Sequence, residues 1–203
     1  MADTPDWIRE LTAKAPDVVA SWRALDATGT GLRRMRRELR RRASRGSAFR
    51  ILEQQEAVGN ALEAVLRAMP DELLRAPGGE ADWNVAQAFA HTTAARRFLA
   101  AWAALSASGR WPTEQPPVVR PSVPGRADAT RNELLTLLHK SRRSLRDSAA
   151  TIHGNETKAC PLEHPLVGRL RCGEWLIFVG VHDLLHLEQL HRLAATASHQ
   201  ARA

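Results

Sequence analysis

From Ser47 to Met69, apolar residues recur at three- and four-residue steps: Ile51, Leu52, Val58, Leu62, Val65, Leu66 and Met69. That period lays them along one side of an α-helix. Ser47 offers an N-cap and Pro70 stops the run. A second long helix is predicted from about Asn84 to Ser106, a third from about Ala129 to Ile152 and a fourth from about Cys172 to Ala197. Gly154-Asn155 closes the third. Between the second and third, Gly109 to Gly125 carries Pro112, Pro116, Pro117, Pro121 and Pro124, too many prolines for a helix or a central strand. It reads as a long surface crossover. Ahead of these elements, Pro5 to Ala27 reads as a short amphipathic helix, broken or bent at Pro16 and ended by Gly29-Thr-Gly31. No period-two alternation of useful length and no internal repeat is found. The fold class is therefore all-α, a four-helix bundle with one long crossover.

Composition removes other classes. Of the 203 residues, 44% are hydrophobic and 25% charged, ordinary globular usage for one domain with or without an appendage. No apolar run reaches the roughly 18 residues of a membrane span. The first residues lack the basic start and apolar core of a signal peptide, so a cytoplasmic location is expected. Two cysteines, Cys160 and Cys172, make neither a disulfide framework nor a four-cysteine zinc site.

The net charge of +7 is unevenly placed, since residues 1–46 hold 11 Lys+Arg against 6 Asp+Glu. Arg33, Arg34, Arg36, Arg37, Arg40, Arg41, Arg42 and Arg45 crowd into one stretch. This divides the chain into a basic N-terminal extension, 1–46, and a bundle, 47–200. The run is read as a solvated basic helix or a loosely attached leader, with Met35 as an alternative start. Phosphate neutralisation by these guanidiniums is the rival reading, but no interleaved aromatics accompany them to stack on bases.

Eight histidines are present, and two of them set the chemistry. His182 and His186 lie four apart on the fourth helix, about 40° apart around the axis and one turn along it, so both can reach one metal ion. Trp175, Val179, Gln189 and Leu193 continue the stripe. Burying these polar groups costs on the order of 1–3 kcal/mol each unless something satisfies them. His91, midway along the second helix, could complete a three-histidine face. His191 lies about 180° from His182 and is expected to face outward, while Asp183 and Glu188 lie about 100° and 120° away. No general base is thereby identified. Cys172, at a helix start, could carry a lowered pKa but sits about 15 Å from His182 along the axis. His164 is expected to cap or pack, and His139 and His153 to face solvent.

Here the residues carry a resemblance. The segment Trp83-Asn-Val-Ala-Gln-Ala-Phe-Ala-His91 resembles the Trp-to-His stretch in the DinB-like superfamily of four-helix-bundle metalloproteins. His164-Pro-Leu-Val-Gly168, then Glu174-Trp175, then His182, His186 and Gln189 are similar to its last loop and helix, in the same order. The resemblance covers about Ser47 to Leu193. Arg171-Cys172 departs from the usual Ser or Thr cap, and Thr92 from a usual Leu. The resemblance implies that His91, His182 and His186 are metal ligands, with Gln189 behind them. It also implies a divalent metal (Zn, Ni or Fe) and a low-molecular-weight thiol such as mycothiol or bacillithiol as cofactors. The implied activity is a metal-dependent thiol S-transferase or isomerase acting on a small electrophile. Two alternatives stay open at this point: a non-catalytic metal- or ligand-binding bundle, and nucleic-acid binding through the Arg-rich leader. A homodimer is left open too.

Overall fold

The computed structural model describes residues 5–25, 30–78, 82–112, 118–120 and 123–200, the last five of these by backbone alone. The expected turn at Gly29 and much of the crossover lie outside the described residues. Four long helices form the bundle: α4 (Ala48–Ala68), α5 (Val85–Ala107), α6 (Arg131–Ile152) and α7 (Cys172–Gln200). Ahead of them come α1 (Asp6–Lys14), α2 (Pro16–Arg23) and α3 (Gly31–Arg42). A 3-10 turn at Asp71–Arg75 follows α4, and a hairpin of β1 (Ala159–His164) and β2 (Gly168–Arg171) precedes α7. Helices α5 and α4 each pack on both α6 and α7, so α4 faces α5, and α6 faces α7, across the diagonals. No described helix is long and apolar enough to cross a membrane.

Local chemistry explains where the helices begin and end. Asn84 caps α5 by accepting from the Gln87 N–H at 2.9 Å, and the Gln87 side chain accepts from the Asn84 N–H at 3.0 Å. Thr130 and Glu133 repeat this box at α6. Pro16 opens α2 at its first turn, where a missing N–H is harmless, and this is the break expected there. Gly154, at φ +81°, provides the left-handed turn after α6.

Three expectations are corrected. First, Ser47 makes no side-chain cap to α4. Glu156, 108 residues on, accepts from the Ala48 N–H at 3.0 Å instead. Second, there is a strand pair: β1 and β2 are antiparallel, with Ala159 opposite Arg171 and His164 opposite Gly168. Cys160 and Leu162 are buried while Ala159 and Glu163 are exposed, a short alternation hidden by Pro161 and Pro165. Third, the basic extension is packed rather than loosely attached. Met35 and Leu39 of α3 and Val18 of α2 are fully buried in the one core, each worth about 1.5–3 kcal/mol of burial. Arg40 pairs with Glu174 at 3.0 Å, Arg42 with Asp17 at 2.6 Å and Arg41 with Glu38 at 2.7 Å. Arg36 donates to the Arg169 carbonyl at 3.3 Å. At least half of the arginine run is thus engaged by the protein itself.

Candidate metal centre

His91 comes from α5, and His182 and His186 from successive turns of α7. The contact of α5 with α7 brings one ligand nitrogen of each to within 4.8 Å of the others. The His91 and His182 Nε2 atoms are 3.2 Å apart. Four tetrahedral ligands at the Zn–N length of about 2.0–2.1 Å sit roughly 3.3 Å from one another, so this spacing suits a shared cation. His186 is buried, and His91 and His182 are partly so.

The hydrogen bonds around the rings decide which nitrogens are available. His91 Nδ1 lies 2.9 Å from the Val123 carbonyl oxygen, which can only accept. Nδ1 therefore carries the proton, and Nε2 presents a lone pair. The Gln189 amide donates through Nε2 to the Gly78 carbonyl, which turns its Oε1 toward His186 Nδ1 at 2.9 Å. His186 Nδ1 must then donate, which makes Nε2 the lone-pair nitrogen of that ring. Trp83 packs against the His91 ring at 5.2 Å between centroids. His182 Nδ1 is buried and has no hydrogen-bond partner among the described residues. Burial, and then the charges that His186 and His91 would bring, push the His182 pKa well below its ordinary value of 6.5. Neutral imidazoles with fixed tautomers are what a divalent ion requires.

The crossover supplies the Val123 carbonyl, and Gly125 holds it there. Its N–H donates to the Gln87 carbonyl at 3.3 Å, and a Cβ at this position would overlap the Ala90 methyl of α5. The end of the crossover at Gly125 thus lies against the helix that bears His91.

A profile of the DinB superfamily matches residues 54–190, more than half of the chain. The chain belongs to the DinB superfamily. No curated protein and no solved structure gives a significant match. The DinB match contains His91, His182, His186 and Gln189 and leaves α1–α3 outside it.

The other sequence candidates are not part of the three-histidine cluster, although His164 lines the same cavity. His164 Nδ1 accepts the Leu166 N–H at 3.1 Å, its ring packs against Phe178, and burial lowers its pKa. Cys172 is buried beside Cys160; hydrogen bonding to that thiol and then burial push its pKa up, opposite to the helix-start expectation. His191 lies on the far side of α7 from the site, yet it is not outward: Trp7 stacks on it at 4.8 Å. The outward expectation took no account of α1. His139 and His153 are exposed, near Glu63 and Glu156.

Sequence reasoning missed two features. One is a cavity of about 870 Å³ that the three histidines and Gln189 help to line, and which Glu188 also reaches. The other is Arg96 of α5, paired with Asp183 at 3.1 Å, both side chains fully buried. Arg96 falls in the apolar run Phe89, Thr92, Arg96, Leu99, Ala103, and Asp183 in the run Leu176, Val179, Asp183, Leu187, Leu190. That spacing was the available signal.

Proposed function

We propose that this DinB protein is a divalent-metal-dependent transferase or isomerase. In this reading it brings a low-molecular-weight thiol to a small electrophile, with the metal held by His91, His182 and His186. The observation that supports it is the convergence of the histidine nitrogens on a cavity, two of them with tautomers set by Val123 and Gln189. A divalent ion on three imidazoles keeps an open position and supplies Lewis acidity, which brings the pKa of water or a thiol there toward neutrality. The remaining work is done by the chain. Val123 and Gln189 hold two imidazoles in place before a ligand arrives, so little reorganisation is needed. Burial keeps His182 unprotonated. Phe178 and Leu99 are among the apolar walls that surround the histidines. Glu188 is a carboxylate lining the same cavity.

The test begins with metal content by elemental mass spectrometry on wild type beside His182→Ala, both purified without chelator or affinity tag. About one metal per chain in wild type and little in the variant is expected. The loaded protein is then given several thiols with a chlorinated aromatic electrophile. Metal-dependent thiol consumption supports the enzyme. Retained metal without turnover of any thiol replaces it with a metal-dependent ligand-binding protein. Metal absent from both proteins after reconstitution overturns the centre itself.

A further inference from the structure

The cavity beside the histidines is apolar and long. Along α7 its lining runs from Phe178 through His182, Leu185, His186 and Gln189 to Arg192. At 1.5 Å per residue this is roughly 21 Å, with the candidate ligands in the middle. Its volume of about 870 Å³ lies in the upper part of the 300–1,000 Å³ typical of small-molecule sites.

Exposed apolar surface is concentrated around this cavity. Phe98, Val118, Val123, Leu166 and Leu185 are five of the six large apolar side chains exposed among the described residues, and all five line it. They come from four different places: α5, the crossover, the hairpin and α7. Exposed apolar groups scattered singly need no explanation, whereas their gathering at one concave site marks a binding surface. Among the described residues, charged side chains reach it only as Arg120, Glu188 and Arg192.

One wall is not part of the superfamily match. Leu25, Leu32 and Met35 line the cavity, and all three precede residue 54. Leu32 and Met35 are held by the docking of α3, which Arg40 fastens to Glu174 and Arg36 to the Arg169 carbonyl, and Leu25 follows α2. Glu174 lies eight residues before His182, about 12 Å along α7, so this wall approaches from beyond the ligands.

We infer that the site takes an elongated, mainly apolar organic molecule, an alkyl chain or a linked aromatic system, whose length is selected by Leu25, Leu32 and Met35 of the N-terminal segment. The inference deepens the proposed function by naming its substrate class, and it rests on that reading only for which end of the molecule meets the histidines. Binding of the apolar body is independent of metal.

Displacement of a bound naphthalene sulfonate dye by butanol, hexanol, octanol and decanol tests it, with metal-free and zinc-loaded full-length protein and with succinate as a polar comparison. Affinity should rise about fourfold per added methylene until the cavity is filled, in both forms of the protein, while succinate displaces little dye. Leu32→Trp should weaken decanol at least about tenfold and butanol by less than about twofold, with zinc content unchanged. Leu25→Phe serves the same purpose if Leu32→Trp loses its helical circular dichroism. Affinity that does not depend on chain length, or succinate binding as well as decanol, overturns the substrate class. Folded variants that bind the whole series as wild type does overturn the role of the N-terminal wall. Chain-length dependence without zinc retention would sink the metal reading and leave this one standing; zinc retention with a flat series does the reverse.

Discussion

Two adjacent residues of α7 meet opposite surroundings. His182 turns toward a cavity, and its Nδ1 is buried without a partner among the described residues. Asp183, the next residue, turns into the bundle and faces Arg96 at 3.1 Å with no solvent exposure on either side chain. Gln55 is drawn into the same interior, its backbone carbonyl accepting from Arg96 Nη2 at 3.4 Å and its side-chain Nε2 donating to the Leu176 carbonyl at 2.6 Å. Burial pushes the Asp183 pKa up to about 7 while Arg96 pulls it back. The Asp183 side is closed to solvent: opposite charges from two helices face each other, although neither Asp183 oxygen, Arg96 Nε nor Arg96 Nη1 makes a hydrogen bond among the described residues. The histidine side is organised by hydrogen bonds at the rear of two rings and left open at the front. Polar atoms without hydrogen bonds are buried on both sides; what differs is that Asp183 has an opposite charge beside it, while the histidines converge on a cavity that a ligand can enter.

The largest effect expected from this contrast is at the open side. His186→Ala should reduce bound metal from about one per chain to less than about a tenth, read by elemental analysis, with only a few degrees' change in the melting temperature of the metal-free protein. On the closed side the order is reversed. Arg96→Leu leaves a buried carboxyl unmatched and should remove about 3–5 kcal/mol in urea denaturation, and adding Asp183→Leu should restore most of it. A double variant no better than the single one would show that the pair is not the coupled unit. Next comes Gln189→Leu, which removes the acceptor for His186 Nδ1 and should weaken metal binding about 10- to 100-fold in a chelator competition.

The smallest effect lies outside both faces. Burial pushes the Glu156 pKa up, but the N–H groups of Gly46, Glu156, Ala48 and Gly154 together bring it below its ordinary 4.5. A carboxyl held lower in the folded state stabilises above pH 4.5, and that stability is lost as pH falls below it. Glu156→Gln should cost about 1 kcal/mol at neutral pH and flatten the loss on acidification, followed by denaturation at several pH values.

Legibility in the sequence followed the range of each interaction. The four long helices, the break at Pro16 and the facing of His182, His186 and Gln189 are set within a few turns of one helix, where spacing is sufficient. The hairpin was hidden because Pro161 and Pro165 interrupt its alternation. His191 was misplaced because helix geometry gives a direction but not what covers it, here Trp7. The Val123 carbonyl that orients His91 leaves no trace in sequence, since every residue carries one. The closed pair was legible in principle, as charged residues inside apolar stripes, but its matching needed the tertiary contact of α5 with α7.

The cap on α4 bears on the order in which the chain assembles. A helix capped by its own neighbour can secure its first turn as soon as it forms. The first turn of α4 instead waits for Glu156, which the chain reaches only after α5, the crossover and α6. Closing a loop of that length is slow to be rewarded. The beginning of α4 is therefore a late-folding element, and the segment between α6 and the hairpin is its clasp.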